Sequence, residues 1–206
     1  MTQNGFYFDS SRCTGCKTCE LACKDYKDLG PETLFRKIYD FEGGTWTQGE
    51  GSVWTTDSFV YHVSAACNHC VAPACQMVCP AEAILRDEDT GLVYIDLELC
   101  INCELCVTAC PYSVPKMDIE RGIVNKCDGC LERVTEGKKP ICVEACPLRA
   151  LDLDDIATLR SSYGDVDFIP PLPEPSTGPN LVISSAPAAT SPASASGFVA
   201  NMKEVA

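Results

Sequence analysis

The sequence predicts an α+β fold built from two small modules, the central one nested within the outer one, followed by an irregular C-terminal tail. First, all sixteen cysteines fall into four groups of four, with none left over. Second, short apolar runs around turn residues follow the groups, as in β-hairpins. Third, Pro, Ala and Ser dominate the composition from residue 168 onward. The four groups, numbered in chain order, are Cys13, Cys16, Cys19, Cys23; Cys67, Cys70, Cys75, Cys79; Cys100, Cys103, Cys106, Cys110; and Cys127, Cys130, Cys142, Cys146.

The spacing within the groups is typical of cysteines that bind cubane iron–sulfur clusters. Groups one and three read C-x2-C-x2-C-x3-C, group two reads C-x2-C-x4-C-x3-C, and group four reads C-x2-C-x11-C-x3-C. A proline follows the last cysteine of groups two, three and four (Pro80, Pro111 and Pro147). In two-cluster ferredoxins this last cysteine binds the neighbouring cluster. We therefore predict ferredoxin-like modules in which all sixteen cysteines bind iron, in four 4Fe-4S clusters.

A disulfide framework and zinc are the alternative uses of so many cysteines. Disulfide frameworks suit secreted chains shorter than about 100 residues, and three cysteines within seven positions cannot all pair with acceptable geometry. Zinc sites usually combine two separated C-x2-C pairs, and only group four resembles such a site. A zinc site in group four remains the alternative.

The hairpins define the modules. Residues 61–111 hold groups two and three and an apolar hairpin around the turn at residues 89–91, which is the layout of one two-cluster ferredoxin. Residues 1–60, with group one and an insertion, and residues 112–167, with a hairpin at 116–126 and group four, then form the outer module. The sequential alternative pairs group one with two and three with four, across the insertion at residues 24–66.

Two long segments lie outside the cysteine groups: the insertion at residues 24–66 and the tail at residues 168–206. The insertion contains Trp46 and Trp54, which we expect to pack in the interior, and a strand-like run at residues 57–63. Residues 168–206 cannot bury enough apolar surface to order themselves. This tail is either a flexible terminus or an extended arm on a partner subunit, anchored by residues 181–183 and 198–199.

Composition excludes several classes of partner. The formal net charge is −13, and cubanes held by thiolates add negative charge, so we expect no nucleic acid or anionic lipid partner. No run approaches the about 18 apolar residues that span a bilayer, so we expect no direct membrane span. Residues 1–9 lack the features of an export signal. Cluster assembly needs reduced thiols, which favours folding in the cytosol.

The predicted sites favour electron transfer over catalysis. Each cluster has a full complement of thiolates, so no iron is open to a substrate, and we predict no catalytic residue. His62 and His69 are expected to be structural, with a hydrogen bond from His69 to a cluster sulfur as the alternative. The lysines in or beside the motifs either raise cluster potentials or face solvent; they are Lys17, Lys24 and Lys126.

Three segments resemble a known family. Residues 5–29 read GFYFDSSRCTGCKTCELACKDYKDL, residues 126–130 read KCDGC, and residues 136–152 read EGKKPICVEACPLRALD. They closely resemble the iron–sulfur B subunits of bacterial dimethyl sulfoxide reductases, which are four-cluster electron-transfer subunits of the molybdopterin oxidoreductase family. The resemblance extends over nearly the whole chain and is weakest in the tail. The cysteine spacing alone is shared with subunits of nitrate reductase, formate dehydrogenase and polysulfide reductase.

The resemblance implies a heterotrimer of a molybdopterin catalytic subunit, this chain, and an integral membrane subunit that oxidises menaquinol. Electrons would pass from the quinol through this chain to molybdenum. Relatives of this kind have the nested pairing. The implied ligand sets, ordered from the catalytic subunit to the quinol, are set 1 with Cys13, Cys16, Cys19 and Cys146; set 2 with Cys23, Cys127, Cys130 and Cys142; set 3 with Cys67, Cys70, Cys75 and Cys110; and set 4 with Cys79, Cys100, Cys103 and Cys106.

Comparison within the family adds three expectations. Formate dehydrogenase subunits carry a C-terminal membrane helix, which is not expected here. Nitrate reductase subunits have tryptophan at the position of Cys103 and hold a three-iron cluster there, so the cysteine implies four cubanes. Subunits without a signal resemble passengers exported with a signal-bearing partner, which implies membrane association at the periplasmic face of the bacterial inner membrane, with the cytoplasmic face as the alternative.

Two other functions remain open. One is the same role in a related molybdoenzyme acting on selenate, polysulfide or formate. The other is a freestanding polyferredoxin that serves several enzymes.

Overall fold

The structure, a computed structural model, describes residues 2–205; Met1 and Ala206, where the first and last predicted segments begin and end, lie outside it. Helices and short strands alternate along the chain, which confirms the α+β class with small ferredoxin-like modules. The strands are β1 (Asn4–Asp9), β2 (Lys37–Gly43), β3 (Trp46–Gln48), β4 (Trp54–Thr56), β5 (Phe59–Ala65), β6 (Ile84–Arg86), β7 (Val93–Ile95), β8 (Lys116–Asp118), β9 (Ile123–Asn125), β10 (Leu151–Asp155), β11 (Leu181–Ser184) and β12 (Phe198–Val199). The helices are α1 (Thr18–Tyr26), α2 (Ala74–Met77), α3 (Leu105–Ala109), α4 (Leu131–Thr135), α5 (Ile141–Glu144), α6 (Ile156–Tyr163) and α7 (Met202–Val205), with 3-10 turns at Pro187–Thr190 and Pro192–Ser196.

Strand β1 is the centre of a three-stranded sheet that joins the two ends of the chain. It pairs antiparallel with β10 and parallel with β11. Phe6 and Phe8 are buried, as expected for a strand with neighbours on both edges. Position 5 needs glycine, because a Cβ there would lie 2.6 Å from the carbonyl oxygen of Asn180. The end of β1 lies beside the start of β10, where the Asp9 amide donates to the Ala150 carbonyl. Groups one and four therefore meet at this end of the sheet.

The insertion between groups one and two folds as a second three-stranded sheet. β2 pairs antiparallel with β5, from Lys37 opposite Ala65 to Gly43 opposite Phe59. This pairing confirms the strand predicted near residues 57–63. Strand β12 adds to the other edge of β2. Apolar residues of the two three-stranded sheets share one buried core with Cys19, Cys142 and Cys146.

The hairpin β3–β4 projects from this sheet. Its two tryptophans, Trp46 and Trp54, are 65% and 54% exposed, so the prediction that they pack in the interior is wrong. In the described part of the chain the hairpin pairs with no third strand. All six residues of its two strands are exposed.

The two hairpins that follow the predicted turns are confirmed. β6 pairs antiparallel with β7, and β8 pairs antiparallel with β9. In the first turn the Asp87 carboxylate accepts hydrogen bonds from the amide and the hydroxyl of Thr90, and Gly91 has a φ of 71°. Side chain-to-backbone bonds and left-handed glycines are the usual determinants of such turns.

The helices that carry cysteines pack in two pairs. α1, which contains Cys19 and Cys23, contacts α5, which contains Cys142. α2, which contains Cys75, contacts α3, which contains Cys106. Group one therefore lies beside group four, and group two beside group three.

The C-terminal segment packs on the chain itself. Leu181, Val182 and Ile183 in β11 are buried against β1, whereas the sequence suggested them as anchors on a partner. The composition of the segment did not predict this strand, because the apolar run is short and Pro, Ala and Ser dominate the residues around it. That run is long enough to complete the edge of β1 with parallel backbone hydrogen bonds. Val205 in α7 is also buried, and its carbonyl accepts a hydrogen bond from Lys37 Nζ.

Candidate iron–sulfur sites

The four C-x2-C loops share one backbone conformation. In each, the residue before the second cysteine has a positive φ, at Gly15, His69, Asn102 and Gly129. A left-handed residue at this point turns the chain so that both flanking side chains can face the same side. Two of the four are glycine and one is asparagine, the residues that tolerate this conformation best. His69 adopts it in spite of its Cβ.

The segments after the last cysteine of groups two, three and four also repeat. Three residues beyond each of these cysteines the chain again has a positive φ, at Glu82, Ser113 and Arg149. In groups two and four the backbone amide four residues beyond the cysteine points at its sulfur, 3.3 Å from Ala83 N to Cys79 Sγ and 3.3 Å from Ala150 N to Cys146 Sγ. Amides directed at sulfur favour the thiolate form that binds metal.

Group one departs from this repeat. Lys24 stands where the other groups have proline, and α1 continues past it to Tyr26. The Lys24 ammonium donates to the carbonyl oxygens of Gly30 and Pro31, at 2.6 and 2.8 Å. It holds the loop after the helix and is not directed at a cysteine.

Cysteines from groups two and three line one cavity. Cys67, Cys70 and Cys75 of group two line it together with Cys110, the last cysteine of group three. The pKa of Cys75 is raised to about 12, by burial first and by the neighbouring Cys67, Cys110 and Cys70.

A second cavity joins groups one and four. Its lining includes Cys13, Cys16 and Cys19 together with Cys146, the last cysteine of group four. The pKa of Cys13 is raised to about 11, mainly by burial, with a further upward contribution from Cys19, Cys146 and Cys16.

Four more cysteines lie together in the interior. The pKa of Cys23 is raised to about 12, by burial first and then by the charge of Cys142 and Cys130. Burial raises the pKa of Cys127, and Cys67 and Cys23 raise it further. Cys127 is therefore close to Cys23, the last cysteine of group one, and to Cys67, the first cysteine of group two.

The remaining four cysteines are Cys106, which lies in α3, and three neighbours that act on it. Burial raises the pKa of Cys106 most, and Cys100, Cys103 and Cys79 add to the effect. Cys79 comes from group two, so this neighbourhood again contains a cysteine from a paired group.

Buried hydrogen-bond donors without partners lie beside these cysteines. Within residues 2–205, the buried side-chain atoms that lack a partner are Arg36 Nε, Arg36 Nη2, His69 Nε2 and Tyr112 Oη. His69 Nδ1 accepts the Val93 amide at 2.9 Å, and burial lowers the pKa of His69 well below its ordinary value. The ring is thus neutral, with its proton on Nε2. His69 and Tyr112 both line the cavity of groups two and three.

These donors fit a bound iron–sulfur cluster. A buried donor without a partner costs about 1–3 kcal/mol, and the sulfides and thiolates of a cluster are acceptors that would remove this cost. The raised thiol pKa values fit as well, because iron displaces the thiol proton and compensates the burial of the thiolate.

The comparisons with known proteins identify the family. A family model described as 4Fe-4S dicluster domain matches residues 58–156, and one described as 4Fe-4S binding domain matches residues 10–27. The chain is 53% identical over 205 residues, 99% of each protein, to the B chain of anaerobic dimethyl sulfoxide reductase from Escherichia coli strain K12. It is 52% identical over the full length of both proteins to the corresponding B chain from Haemophilus influenzae. This protein belongs to the family of anaerobic dimethyl sulfoxide reductase B chains.

More distant relatives of this chain have other names. The B subunit of sulfite dehydrogenase from Allochromatium vinosum is 32% identical over 177 residues, which cover 76% of this chain and 70% of that protein. As a member of the B-chain family, this protein is an iron–sulfur electron-transfer subunit that binds 4Fe-4S clusters. No helix within residues 2–205 has the length and apolar character needed to cross a bilayer.

The three lysines singled out in this B chain have different environments. Lys17 pairs with Glu204 at the surface, and Lys24 binds loop carbonyls as described above. Lys126 is fully buried, with Nζ 3.5 Å from Cys67 Sγ and 2.9 Å from the Cys127 carbonyl oxygen. Of the three, Lys126 is therefore the one that faces the cysteine sites.

Sequence reasoning missed Arg36 and Tyr112. Arg36 lies in the insertion and Tyr112 follows Pro111, outside the spacing of the cysteine motifs. No local pattern distinguishes a buried arginine from a surface one, and its importance follows only from the folding of the insertion beneath the cysteine loops.

The cysteines are not arranged for a single ion. Among the described residues, no group of three or more His, Cys, Asp or Glu side chains could hold one metal ion. The zinc alternative in group four is left to metal analysis of the protein.

Proposed function

We propose that this chain relays electrons from menaquinol, oxidised in an integral membrane subunit, to a molybdopterin catalytic subunit that reduces dimethyl sulfoxide and related S- or N-oxides. When bound, four 4Fe-4S clusters supply reversible one-electron reduction. The chain itself has no catalytic residue in this proposal. Its side chains hold the clusters, exclude water from the inner ones and expose the outer ones to the partners.

The proposed ligand sets are those implied by the family. They are set 1 with Cys13, Cys16, Cys19 and Cys146; set 2 with Cys23, Cys127, Cys130 and Cys142; set 3 with Cys67, Cys70, Cys75 and Cys110; and set 4 with Cys79, Cys100, Cys103 and Cys106. The two cavities support sets 1 and 3, because each cavity is lined by all four members of its set. The electrostatic neighbours of Cys23 and of Cys106 support sets 2 and 4.

The pattern of cysteine exposure carries the proposal. Cys16 and Cys103 are the exposed cysteines, and they belong to sets 1 and 4. All four cysteines of set 2 are buried. A relay between two partners needs this arrangement, with its first and last sites near the surface and an inner site away from water.

The surface around set 4 fits an apolar partner. Five large apolar side chains within three residues of its cysteines are 47–72% exposed, and these residues are Met77, Leu97, Leu99, Ile101 and Leu105. Several exposed apolar residues near one site are typical of an interaction surface. We assign this surface to the quinol-oxidising membrane subunit and the exposed Cys16 end to the catalytic subunit.

The domain and location assignments follow from the same proposal. Residues 61–111 form the central module, residues 1–60 and 112–167 form the two halves of the outer module, and residues 168–206 form an extended tail that also packs on a partner subunit. The complex is membrane-associated through its partners at the periplasmic face, exported with a signal-bearing partner; the cytoplasmic face is the alternative.

A variant of Cys103 tests the relay. Cys103→Ser removes one thiolate from set 4 and should leave a three-iron cluster of higher potential, which EPR detects. We expect quinol-driven reduction of dimethyl sulfoxide to collapse. Reduction by an artificial donor that acts directly on the catalytic subunit should continue. Thr108→Ser, in the helix α3 that follows Cys103, is the control and should leave both rates unchanged.

Full quinol-driven turnover by a Cys103→Ser protein shown to hold the three-iron cluster would refute the relay through set 4. Purification distinguishes the alternative functions. A subunit should co-elute with a molybdenum protein, whereas a freestanding polyferredoxin should elute alone. A co-eluting enzyme with activity toward selenate, polysulfide or formate alone would assign the chain to a related complex.

A further inference from the structure

Arg36 is a fully enclosed cation. It is 3% exposed and immediately precedes β2. Its Nη1 donates to Ser64 Oγ at 2.9 Å, and its guanidinium carbon lies 4.8 Å from the centre of the Phe6 ring. Nε and Nη2 have no hydrogen-bond partner in the described structure. An arginine that is buried without compensation is highly unfavourable.

Carboxylates do not supply this compensation. Among residues 2–205, no Asp or Glu forms an ion pair with Arg36, in contrast to Arg12, Arg121, Arg133 and Arg160. The charged groups that act on Arg36 are cysteines: Cys142, Cys19, Cys127 and Cys23 raise its pKa against the effect of burial. Ser64 connects it directly to this group, because Ser64 Oγ is 3.7 Å from Cys19 Sγ.

These four cysteines come from two ligand sets. Cys19 belongs to proposed set 1, and Cys23, Cys127 and Cys142 belong to proposed set 2. The cysteines of both sets therefore act on Arg36, and two of its nitrogen atoms, Nε and Nη2, have no hydrogen-bond partner in the described structure. Cubanes held by four thiolates are anionic, and they become more negative on reduction. A fixed cation between two such sites favours the reduced form of both.

We propose that Arg36 is a positioning residue that bridges sets 1 and 2, supplies hydrogen bonds to their sulfurs and raises the reduction potentials of both clusters. The inference rests on the ligand sets proposed above. Lys126 occupies a similar place near Cys127 of set 2 and Cys67 of set 3, so the junctions between sets 1 and 2 and between sets 2 and 3 each contain one buried cation.

The test is an EPR-monitored redox titration of the cluster-loaded protein, with wild-type and variant forms compared. Arg36→Met removes the charge and keeps the length of the side chain. We expect the reduction equilibria of the set 1 and set 2 clusters to become at least tenfold less favourable, which is about 59 mV for a one-electron couple. The clusters of sets 3 and 4 should change much less. Arg36→Lys keeps the charge, so the reduction potentials of the set 1 and set 2 clusters should stay close to those of the wild-type protein.

Arg12→Met is the matched control. Arg12 is adjacent to Cys13, but its side chain is 61% exposed and pairs with Asp9. Water and Asp9 screen its charge, so the same substitution should shift the set 1 potential far less than Arg36→Met. An equal or larger shift in the control would overturn the special role of the buried site.

Other outcomes are equally decisive. Unchanged potentials of all four clusters in Arg36→Met would overturn the proposal. Equal shifts in the Met and Lys variants would assign the effect to packing. If Arg36→Met does not accumulate with iron, Arg36→Gln removes the charge and keeps a polar side chain; lowered potentials confined to sets 1 and 2 support the proposal, and unchanged potentials overturn it.

Failure of the relay would be recognised separately. The potentials belong to this chain and do not depend on the identity of its partners. The ligand sets could be wrong while Arg36 still raises reduction potentials. In that case Arg36→Met would lower the potentials of two clusters, but these would not be the two clusters that lose a ligand in Cys23→Ser and Cys146→Ser.

Discussion

The last cysteine of each group lies within a helix or shortly after one, beyond the C-x2-C loop of its own group. In this structure Cys146 lines the cavity of group one, and Cys110 lines the cavity of group two. A residue-level exchange of this kind can be tested by substitution, because each pairing scheme assigns the lost ligand to a different cluster.

Cys23→Ser should damage the cluster held by Cys127, Cys130 and Cys142, and Cys146→Ser should damage the one held by group one. EPR spectra of the two variants, with each cluster identified by its potential, measure the outcome. Sequential pairing makes a different prediction, in which Cys23→Ser perturbs a cluster of group two. That result would refute the nested ligand sets.

Thiol ionisation gives the apoprotein a defined pH dependence. The pKa values of Cys13, Cys23 and Cys75 are raised from 9.0 to about 11, 12 and 12. A group whose pKa is higher in the folded state stabilises that state below its unfolded pKa and ceases to do so as the pH rises through the folded pKa. The free energy of unfolding should therefore fall between about pH 9 and pH 12.

Anaerobic urea unfolding of the apoprotein at pH 8 and pH 10 measures this effect. Cys23→Ser should weaken the pH dependence, because serine does not ionise in this range. Cys16→Ser is the control, since Cys16 is exposed and its pKa is lowered by hydrogen bonds with Thr18. Identical pH dependences in the two variants would show that burial of Cys23 is not the cause.

At the level of elements, β11 is the strand that composition did not predict. It completes the sheet around β1, and Ile183 within it is 1% exposed. Ile119, in the loop between β8 and β9, is 78% exposed. The two isoleucines allow one substitution to be compared in a buried and an exposed place.

Ile183→Ala should lower the free energy of unfolding by about 2–5 kcal/mol, because it leaves a cavity in a packed core. Ile119→Ala should change it by less than about 0.5 kcal/mol. Anaerobic urea unfolding of the cluster-loaded protein, followed by cluster absorbance, provides the measurement. A small effect at Ile183 would mean that β11 contributes little to the stability of the outer module.

At the level of the whole molecule, the metal content decides between four cubanes and a mixed protein. Anaerobically purified protein should contain about sixteen irons and sixteen acid-labile sulfides per chain, since sixteen cysteines complete four cubane sites. The reason for doubt is the long interval between Cys130 and Cys142 in group four. About twelve irons with one zinc would establish a zinc site there.

The packing of the helices explains how Cys130 and Cys142 come close together despite the long interval between them in group four. Helix α4 and its following turn occupy the interval, and α5 returns Cys142 to α1. The Arg133 side chain holds this excursion, because its Nε donates to the Lys139 carbonyl at 2.9 Å. Cys130 and Cys142 are thus neighbours in space although eleven residues separate them in the chain.

The sequence by itself determined the chemistry of this protein. Cysteine spacing is a local property, and a C-x2-C loop can form around a cluster almost regardless of what lies elsewhere; the hairpins at residues 83–96 and 116–126 were likewise predictable from short apolar runs and their turns. Full-length similarity then placed the chain in the B-chain family.

Only the tertiary structure decided which residues surround the sites. The insertion brings Arg36 beneath Cys19 and Cys142, β11 closes the sheet around β1, and the hairpin β3–β4 leaves Trp46 in solvent. Each of these depends on contacts between segments that are distant in the chain, and burial is a property of such contacts. The burial of a residue therefore cannot be predicted from its identity and its immediate neighbours in sequence alone.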